Sequence, residues 1–130
     1  MEDLGPCDRV WNRAALEDGG AAPLEGDRAL AAMLVAHGLI MNGGVLHAVD
    51  CLEADEFEKA CGGYEFFGLG GVAKQLREAV RLAGETAPMD TLEAQLDRAY
   101  WKAVPDDAAL AAVFETHFER HPHAYAPLMP

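Results

Sequence analysis

Residues 27–41, DRALAAMLVAHGLIM, decide the fold. Asp27 is predicted as the N-cap of a helix that continues to about Met41. One face of this helix carries Leu30, Met33, Leu34, His37, Ile40 and Met41. Val35 and Leu39 widen this apolar surface. A helix that is apolar over most of its circumference belongs in the centre of a core. We therefore expect this helix to be the most buried element.

Helix signals recur on both sides of this segment, and no stretch shows the alternating pattern of a strand. The sequence predicts an all-α fold, a compact single-domain bundle of about six to seven short helices around the central apolar helix. The other helices are expected over Cys7–Glu17, from Val45, from Asp55 to Cys61, over residues 72–83 with Val72, Leu76, Val80 and Ala83 buried, from Asp90, and after Pro105-Asp106.

Turn and capping residues set the expected boundaries. Asn42 is predicted to cap the short helix that follows it, and Gly43 or Gly44 to adopt a positive φ, because consecutive glycines separate two helices. Two capping boxes are predicted, Asp55 with Glu58 and Asp90 with Glu93. Gly62-Gly63 is expected to stop the helix that ends at Cys61.

The domain organisation follows from these elements. Residues 1–130 are predicted to form one acidic helical domain, since no long linker or internal repeat interrupts them. Its parts are an N-terminal helix and loop (1–26), a core (27–83), and two C-terminal helices with an extended tail (84–130). Pro122, Pro127 and Pro130 favour the extended tail, because proline lacks an amide donor and fixes its own φ.

Charge restricts the kind of partner. The chain has 22 acidic and 10 basic residues and a net charge of -12. Such a field repels nucleic acid and anionic membrane surfaces, and it suits a basic protein partner such as a DNA-binding regulator or a toxin. Three cysteines without zinc spacing and an N-terminus without signal-peptide features favour free thiols and a cytoplasmic location. High solubility is the alternative explanation for the acidity.

One acidic segment is the candidate partner-binding site. Five carboxylates occur within nine residues with no base among them: Asp50, Glu53, Asp55, Glu56 and Glu58. Residues three or four apart on a helix are about 5–6 Å apart at Cβ. That spacing can imitate the phosphates along a DNA edge. A solvated helix face, with Asp55 and Glu58 as capping residues, is the alternative.

Histidine and cysteine pairs provide two weaker hypotheses. His117 and His121 are four positions apart and could share a metal, with His37 as a third ligand. We instead expect no metal, and His117 facing the core between Phe114 and Phe118. His47 and Cys51 have the same spacing and could form a thiolate-imidazole pair, but no orienting residue is identifiable. The sequence thus predicts a non-enzymatic protein without cofactors.

Asn42-Gly43-Gly44 after an apolar helix, followed by residues 63–69 (GYEFFGL), resembles the bacterial DNA-mimic-protein-19 family, also described as a domain of unknown function. The resemblance covers residues 27–83, and the Pro105-Asp106-Asp107 helix start fits more loosely. It implies a small, acidic, helical cytoplasmic protein, a possible homodimer, that occupies the DNA-binding surface of a transcription regulator.

The chain departs from that family after the Asn-Gly-Gly turn. The family has an aromatic residue, a glutamine and an asparagine where this chain has Val45, His47 and Cys51. A role of the family's polar pair therefore does not carry over. The functional prediction is a non-enzymatic acidic protein that binds a basic protein surface, with DNA mimicry at a transcription regulator as the role that the resemblance implies. The alternatives are an immunity protein against a cationic toxin, or a metal- or thiol-dependent enzyme.

Overall fold

The computed structural model describes residues 5–84 and 89–128. In this part of the chain the structure has seven α-helices and no strand. The helices are α1 (Pro6–Glu17), α2 (Glu25–Gly43), α3 (Val45–Cys51), α4 (Ala54–Phe66), α5 (Gly70–Ala83), α6 (Met89–Ala103) and α7 (Asp107–Arg120). A single 3-10 turn, Pro122–Ala124, follows α7. The all-α prediction is confirmed.

Helix α2 is the centre of the bundle, as its apolar sequence predicts. It packs against α1, α3, α4 and the C-terminal 3-10 turn, and most extensively against α4. Leu30, Met33 and Ile40 are buried in the core. Val35 and Met41 are instead about half exposed, at 46% and 48%. The helix therefore leaves part of its apolar circumference uncovered.

The start of α2 differs from the prediction. Asp27 is not the N-cap, because the helix begins two residues earlier and Leu24 occupies the cap position. The Asp27 carboxylate reaches back and accepts a hydrogen bond of 3.0 Å from the Leu24 amide. This is the reciprocal half of a capping box, in which the third helical residue satisfies an amide that the helix leaves free. Asp27 therefore caps its helix from inside the first turn.

The Asn-Gly-Gly turn also differs in part. Asn42 lies in the last turn of α2 rather than capping α3, and Gly44 separates the two helices with φ 93°. The positive φ predicted for Gly43 or Gly44 is thus confirmed at Gly44. The carboxylate of Asp97 on α6 accepts a hydrogen bond of 2.9 Å from the Val45 amide. The cap of α3 therefore comes from a distant helix, which local sequence does not reveal.

The predicted limits of α4 are wrong at both ends. The capping pair is Glu53 and Glu56, not Asp55 and Glu58: Glu53 occupies the cap position, and its amide donates to the Glu56 carboxylate at 3.0 Å. The helix also passes through Gly62-Gly63 to Phe66, so Tyr64 and Phe66 are helical. In a helix interior, glycine is less favourable than alanine by only about 1 kcal/mol of free energy. Tertiary packing can outweigh a difference of this size.

The backbone of α4 lies close to that of α2 at Gly63. A Cβ atom at position 63 would lie 2.5 Å from the Ala29 carbonyl oxygen and 3.2 Å from the Met33 amide. Backbone atoms cannot withdraw as a flexible side chain can, so this approach requires glycine. Gly62, the preceding residue, is exposed, and a Cβ atom there would meet nothing within 4 Å.

Gly62→Ala and Gly63→Ala should therefore change stability in opposite directions. We expect Gly62→Ala to raise the free energy of unfolding by about 0.5–1 kcal/mol, because alanine loses less backbone entropy in a helix. Gly63→Ala should lower it by about 1–3 kcal/mol through overpacking against α2. Urea unfolding followed by circular dichroism measures both. A similar change in both variants would contradict the packing described for Gly63.

The remaining helices mostly follow the predictions. Asp106 caps α7, and its carboxylate accepts from the Ala109 amide at 3.0 Å. The predicted Asp90–Glu93 capping box is wrong, because α6 begins at Met89 and Asp90 lies inside its first turn; the N-cap position lies outside the described residues. On α5 the buried face was predicted incompletely: Val80 and Ala83 are exposed, and Ala73 and Ala79 are buried with Val72 and Leu76.

The C-terminal segment, residues 121–128, is not a simple extended tail. Pro122–Ala124 forms the 3-10 turn, and Tyr125 is buried among core aromatic rings. The Tyr125 ring lies 5.6 Å from Phe114 and 5.3 Å from Phe118, measured between ring centroids. Tyr125 therefore joins the core, and the rest of this segment lies at the surface or is half-buried.

Candidate functional site

The five predicted carboxylates lie together along the α3–α4 connection, and we call them the acidic surface. All five side chains are exposed: Asp50 near the end of α3, Glu53 at the cap of α4, and Asp55, Glu56 and Glu58 on α4. Within the described residues, Asp50, Glu53 and Asp55 have no basic partner. The charges of these three carboxylates are therefore not compensated by a base of the described chain, although Glu53 also takes part in the capping box of α4.

Glu58 differs from the other members of the acidic surface. Arg77 of α5 donates to Glu58 and to Glu65 of α4, each at 3.3 Å. The carboxylates raise the pKa of Arg77, chiefly through the hydrogen bond with Glu58. Exposed ion pairs of this kind contribute little to stability, but they compensate local charge. Glu58 thus has a structural partner instead of the predicted capping role.

A series of hydrogen-bonded polar side chains links four helices, and the sequence alone indicates only His37 among them. His37 of α2 shares a hydrogen bond of 2.7 Å from Nδ1 to the Tyr100 hydroxyl and one of 2.7 Å from Nε2 to Asp107. The Tyr100 hydroxyl lies 2.8 Å from that of Tyr64. We call these four residues the His37 chain. In the neutral imidazole, Nε2–H donates to Asp107 and Nδ1 accepts from Tyr100, which accepts from Tyr64.

Burial strongly affects the acidity of the two phenols. It raises the pKa of Tyr100 to about 12, against an opposing effect of the hydrogen bond with Tyr64. Burial and the nearby Tyr100 also raise the pKa of Tyr64. Both tyrosines are therefore neutral donors at physiological pH, which suits a satisfied structural network. At the other end of the His37 chain, the Asp107 side chain is 72% exposed.

The C-terminal histidines do not meet His37. The His117 ring lies 4.4 Å from Phe66 and 5.5 Å from Phe67, and its Nδ1 shares a hydrogen bond of 2.8 Å with Tyr125. Burial lowers the pKa of His117, and His121 lowers it further. Among the described residues no group of three His, Cys, Asp or Glu side chains is placed to hold a metal ion. His117 anchors the C-terminal segment through its hydrogen bond with Tyr125. Its ring contacts Phe66 and Phe67, whereas the sequence predicts a place between Phe114 and Phe118.

The His47–Cys51 pair does form on α3. The Cys51 sulfur lies 3.7 Å from each ring nitrogen of His47, and Cys51 is exposed. Nucleophilic catalysis also requires a residue that orients the imidazole and a group that stabilises the developing charge. Within the described part of the chain, His47 has no other hydrogen-bond partner. The geometry therefore gives a thiol-imidazole contact without the rest of a catalytic site.

A buried ion pair fixes the C-terminal segment. Arg13 of α1 donates to Asp27 at 2.7 Å, and Asp27 also accepts from the Ala126 amide at 2.7 Å. Arg13 donates further to the Ala126 carbonyl at 3.0 Å. Asp27 is completely buried, so its charge depends on these donors. The arrangement joins α1, the start of α2 and the C-terminal segment, and we call it the Arg13–Asp27 hub.

A groove of about 500 Å³ runs between α2 and α4. Its apolar lining includes Ala29, Ala32 and Val35 on α2, and Gly62 and Phe66 on α4. Charged residues on its rim are Asp18, Glu25, Arg28, Glu56 and Lys59. The groove therefore adjoins the acidic surface through Glu56, which belongs to both.

No protein family, curated protein or solved structure matches this chain. The resemblance to the DNA-mimic-protein-19 family therefore stays a prediction. Among the described residues, no helix combines the length and apolar character that crossing a bilayer requires.

Proposed function

We propose that this protein is a non-enzymatic acidic protein that binds a basic protein surface and acts as a DNA mimic on a transcription regulator. The observation that carries the proposal is the exposure of Asp50, Glu53 and Asp55, which have no basic partner among the residues that the structure describes. Carboxylates held on a folded backbone present negative charge at fixed spacing, as a phosphate backbone does. Complementary charge of this kind steers association and favours a cationic partner.

The test uses immobilised protein to capture partners from a bacterial lysate at low and high salt. We expect basic proteins to be retained at low salt and released as salt rises, because exposed charges are screened beyond about 8–10 Å near physiological ionic strength. The variant Asp50→Lys/Asp55→Lys should lose this capture. Asp90→Lys/Glu93→Lys is the matched control, since it makes the same charge change on exposed residues of α6.

Two outcomes would contradict the proposal: no basic protein retained by the wild type, or equal capture by the acidic-surface variant and the control. Duplex DNA then distinguishes the two kinds of partner. A DNA mimic occupies a DNA-binding surface, so added duplex should release the captured protein. An immunity protein against a cationic toxin would hold its partner in the presence of DNA, and a toxin gene would neighbour its own.

A further inference from the structure

Gly62 is unexplained by the packing of the protein itself. It lies in the interior of α4, where glycine is less favourable than alanine by about 0.5–1 kcal/mol. At the neighbouring position 63 a Cβ atom would collide with the Ala29 carbonyl oxygen, so glycine is required there. A Cβ atom at position 62 would meet nothing within 4 Å. Gly62 opens onto the groove between α2 and α4. A Cβ atom at this position would narrow the groove without touching the rest of the protein.

The opposite wall of the groove is also incompletely covered. Val35 of α2 lines the groove and is 46% exposed, although α2 is the central helix. Ala29 and Ala32 precede it along the same wall and add only small side chains. Small residues on both helices let another backbone approach closely. A helix that inserts apolar side chains at positions i, i+3 and i+4 suits a groove of this form.

Charge indicates what the inserted helix carries outside its apolar stripe. Three carboxylates line the groove: Asp18, Glu25 at the start of α2, and Glu56 of the acidic surface in the first turn of α4. Arg28 and Lys59 also line it, each one turn further along α2 or α4. Lysine or arginine beside the apolar stripe of a bound helix would therefore have carboxylates of both helices to pair with. The net charge of -12 favours the same kind of partner at longer range.

We propose that the groove between α2 and α4 holds an amphipathic helix of the partner protein, with basic residues on either side of its apolar stripe. This inference rests on the proposed function and names the element by which the basic partner binds. The acidic surface attracts that partner, and the groove recognises the apolar face of its helix. Electrostatic attraction and apolar insertion thus occur at two adjoining parts of one surface.

The test is a titration with a fluorescent synthetic peptide of about five helical turns. Leucines repeat along one face of the peptide and lysines fill the other positions. The peptide should bind the wild type with a measurable change in anisotropy, and a scrambled peptide of the same composition should bind more weakly. Gly62→Leu should weaken binding about tenfold or more, because its side chain occupies the space of the peptide. Gly71→Leu is the matched control, since Gly71 is an exposed helical glycine with open space around it.

A second variant protects the test against a folding defect. Val35→Ser removes apolar surface from the groove wall without adding bulk or charge, and it should also weaken binding. Circular dichroism should show the same helix content in all variants. The inference is wrong if Gly62→Leu binds as tightly as Gly71→Leu, or if the scrambled peptide binds equally well. It is also wrong if the wild type sediments as a dimer that Gly62→Leu converts to monomer, since the groove then holds a second copy.

Failure of the groove and failure of the proposed function remain distinguishable. Capture that depends on Asp50 and Asp55 but is unchanged in Gly62→Leu would overturn the groove alone. If the wild type captures no basic protein from the lysate, the proposed function is wrong, whether or not the synthetic peptide binds.

Discussion

Asp27→Ala should lower the free energy of unfolding by about 3–5 kcal/mol, because it leaves a partly buried Arg13 without its counter-charge. The side chain of Arg13 is only 16% exposed, and the amides of Leu24 and Ala126 lose their acceptor as well. A loss of this size is a large part of the total stability of a typical domain, about 5–15 kcal/mol.

Two measurements distinguish this effect from a general loss of packing. Urea unfolding gives the free energy, and hydrogen exchange of the Ala126 amide reports whether the C-terminal segment has been released. We expect that amide to exchange much faster in Asp27→Ala. Glu78→Ala removes one member of the exposed pair with Arg81 and should change stability little. A variant of Asp27 as stable as the Glu78 variant would show that the hub does not hold the segment.

The Arg13–Asp27 hub also shows where sequence reasoning stops. The sequence predicts Asp27 near a helix start, because a short carboxylate before an apolar run is a typical cap. It does not indicate that Arg13 and Ala126 converge on the same carboxylate, since those residues are 14 and 99 positions away. Periodicity reports which residues face the core, but not which helices meet there. Pro122, Pro127 and Pro130 consequently predict an extended tail where Tyr125 is in fact buried; Pro130 itself lies outside the described residues.

The prediction of where α4 begins and ends is wrong for a different reason. Gly62-Gly63 is a typical helix stop, and a local view assigns both glycines to it. The structure continues the helix because Gly63 permits close packing on α2, and Tyr64 in the next position is fully buried. Burying a large aromatic side chain outweighs the roughly 1 kcal/mol that glycine costs in a helix. Tertiary packing thus overrides the local preference.

Part of the candidate site can likewise be predicted from the sequence, and part of it depends on tertiary contacts. Exposure of all five carboxylates follows from their sequence, because a run of acids is solvated unless bases are paired with it. The ion pair between Glu58 and Arg77 does not follow, since it joins residues 19 positions apart on different helices. Of the His37 chain, only His37 was singled out. A histidine on an apolar helix face signals that it has hydrogen-bond partners, but Tyr64, Tyr100 and Asp107 are identified only by the hydrogen bonds that bring α4, α6 and α7 to His37.

Tyr100→Phe should lower the free energy of unfolding by about 2–4 kcal/mol at neutral pH. Tyr100 is 1% exposed, and its hydroxyl is the link between His37 Nδ1 and Tyr64. Removing it leaves two buried polar groups without a partner, each at a cost of about 1–3 kcal/mol. Asp107→Asn is the matched control, because the amide oxygen can still accept from His37 and the residue is largely exposed. A Tyr100 variant no less stable than the control would mean that the chain is not a satisfied network.

The difference between wild type and Tyr100→Phe should shrink as the pH rises. Burial raises the pKa of Tyr100 from its ordinary value of 10.0 to about 12, so the unfolded chain loses this proton before the folded protein does. The stability that depends on a neutral Tyr100 is therefore complete below pH 10 and is lost as pH rises toward 12. The phenylalanine variant has no such proton to lose. Urea unfolding of both proteins across this range should show the difference fall by about 2–3 kcal/mol. A difference that stays constant with pH would place the Tyr100 hydroxyl in contact with solvent.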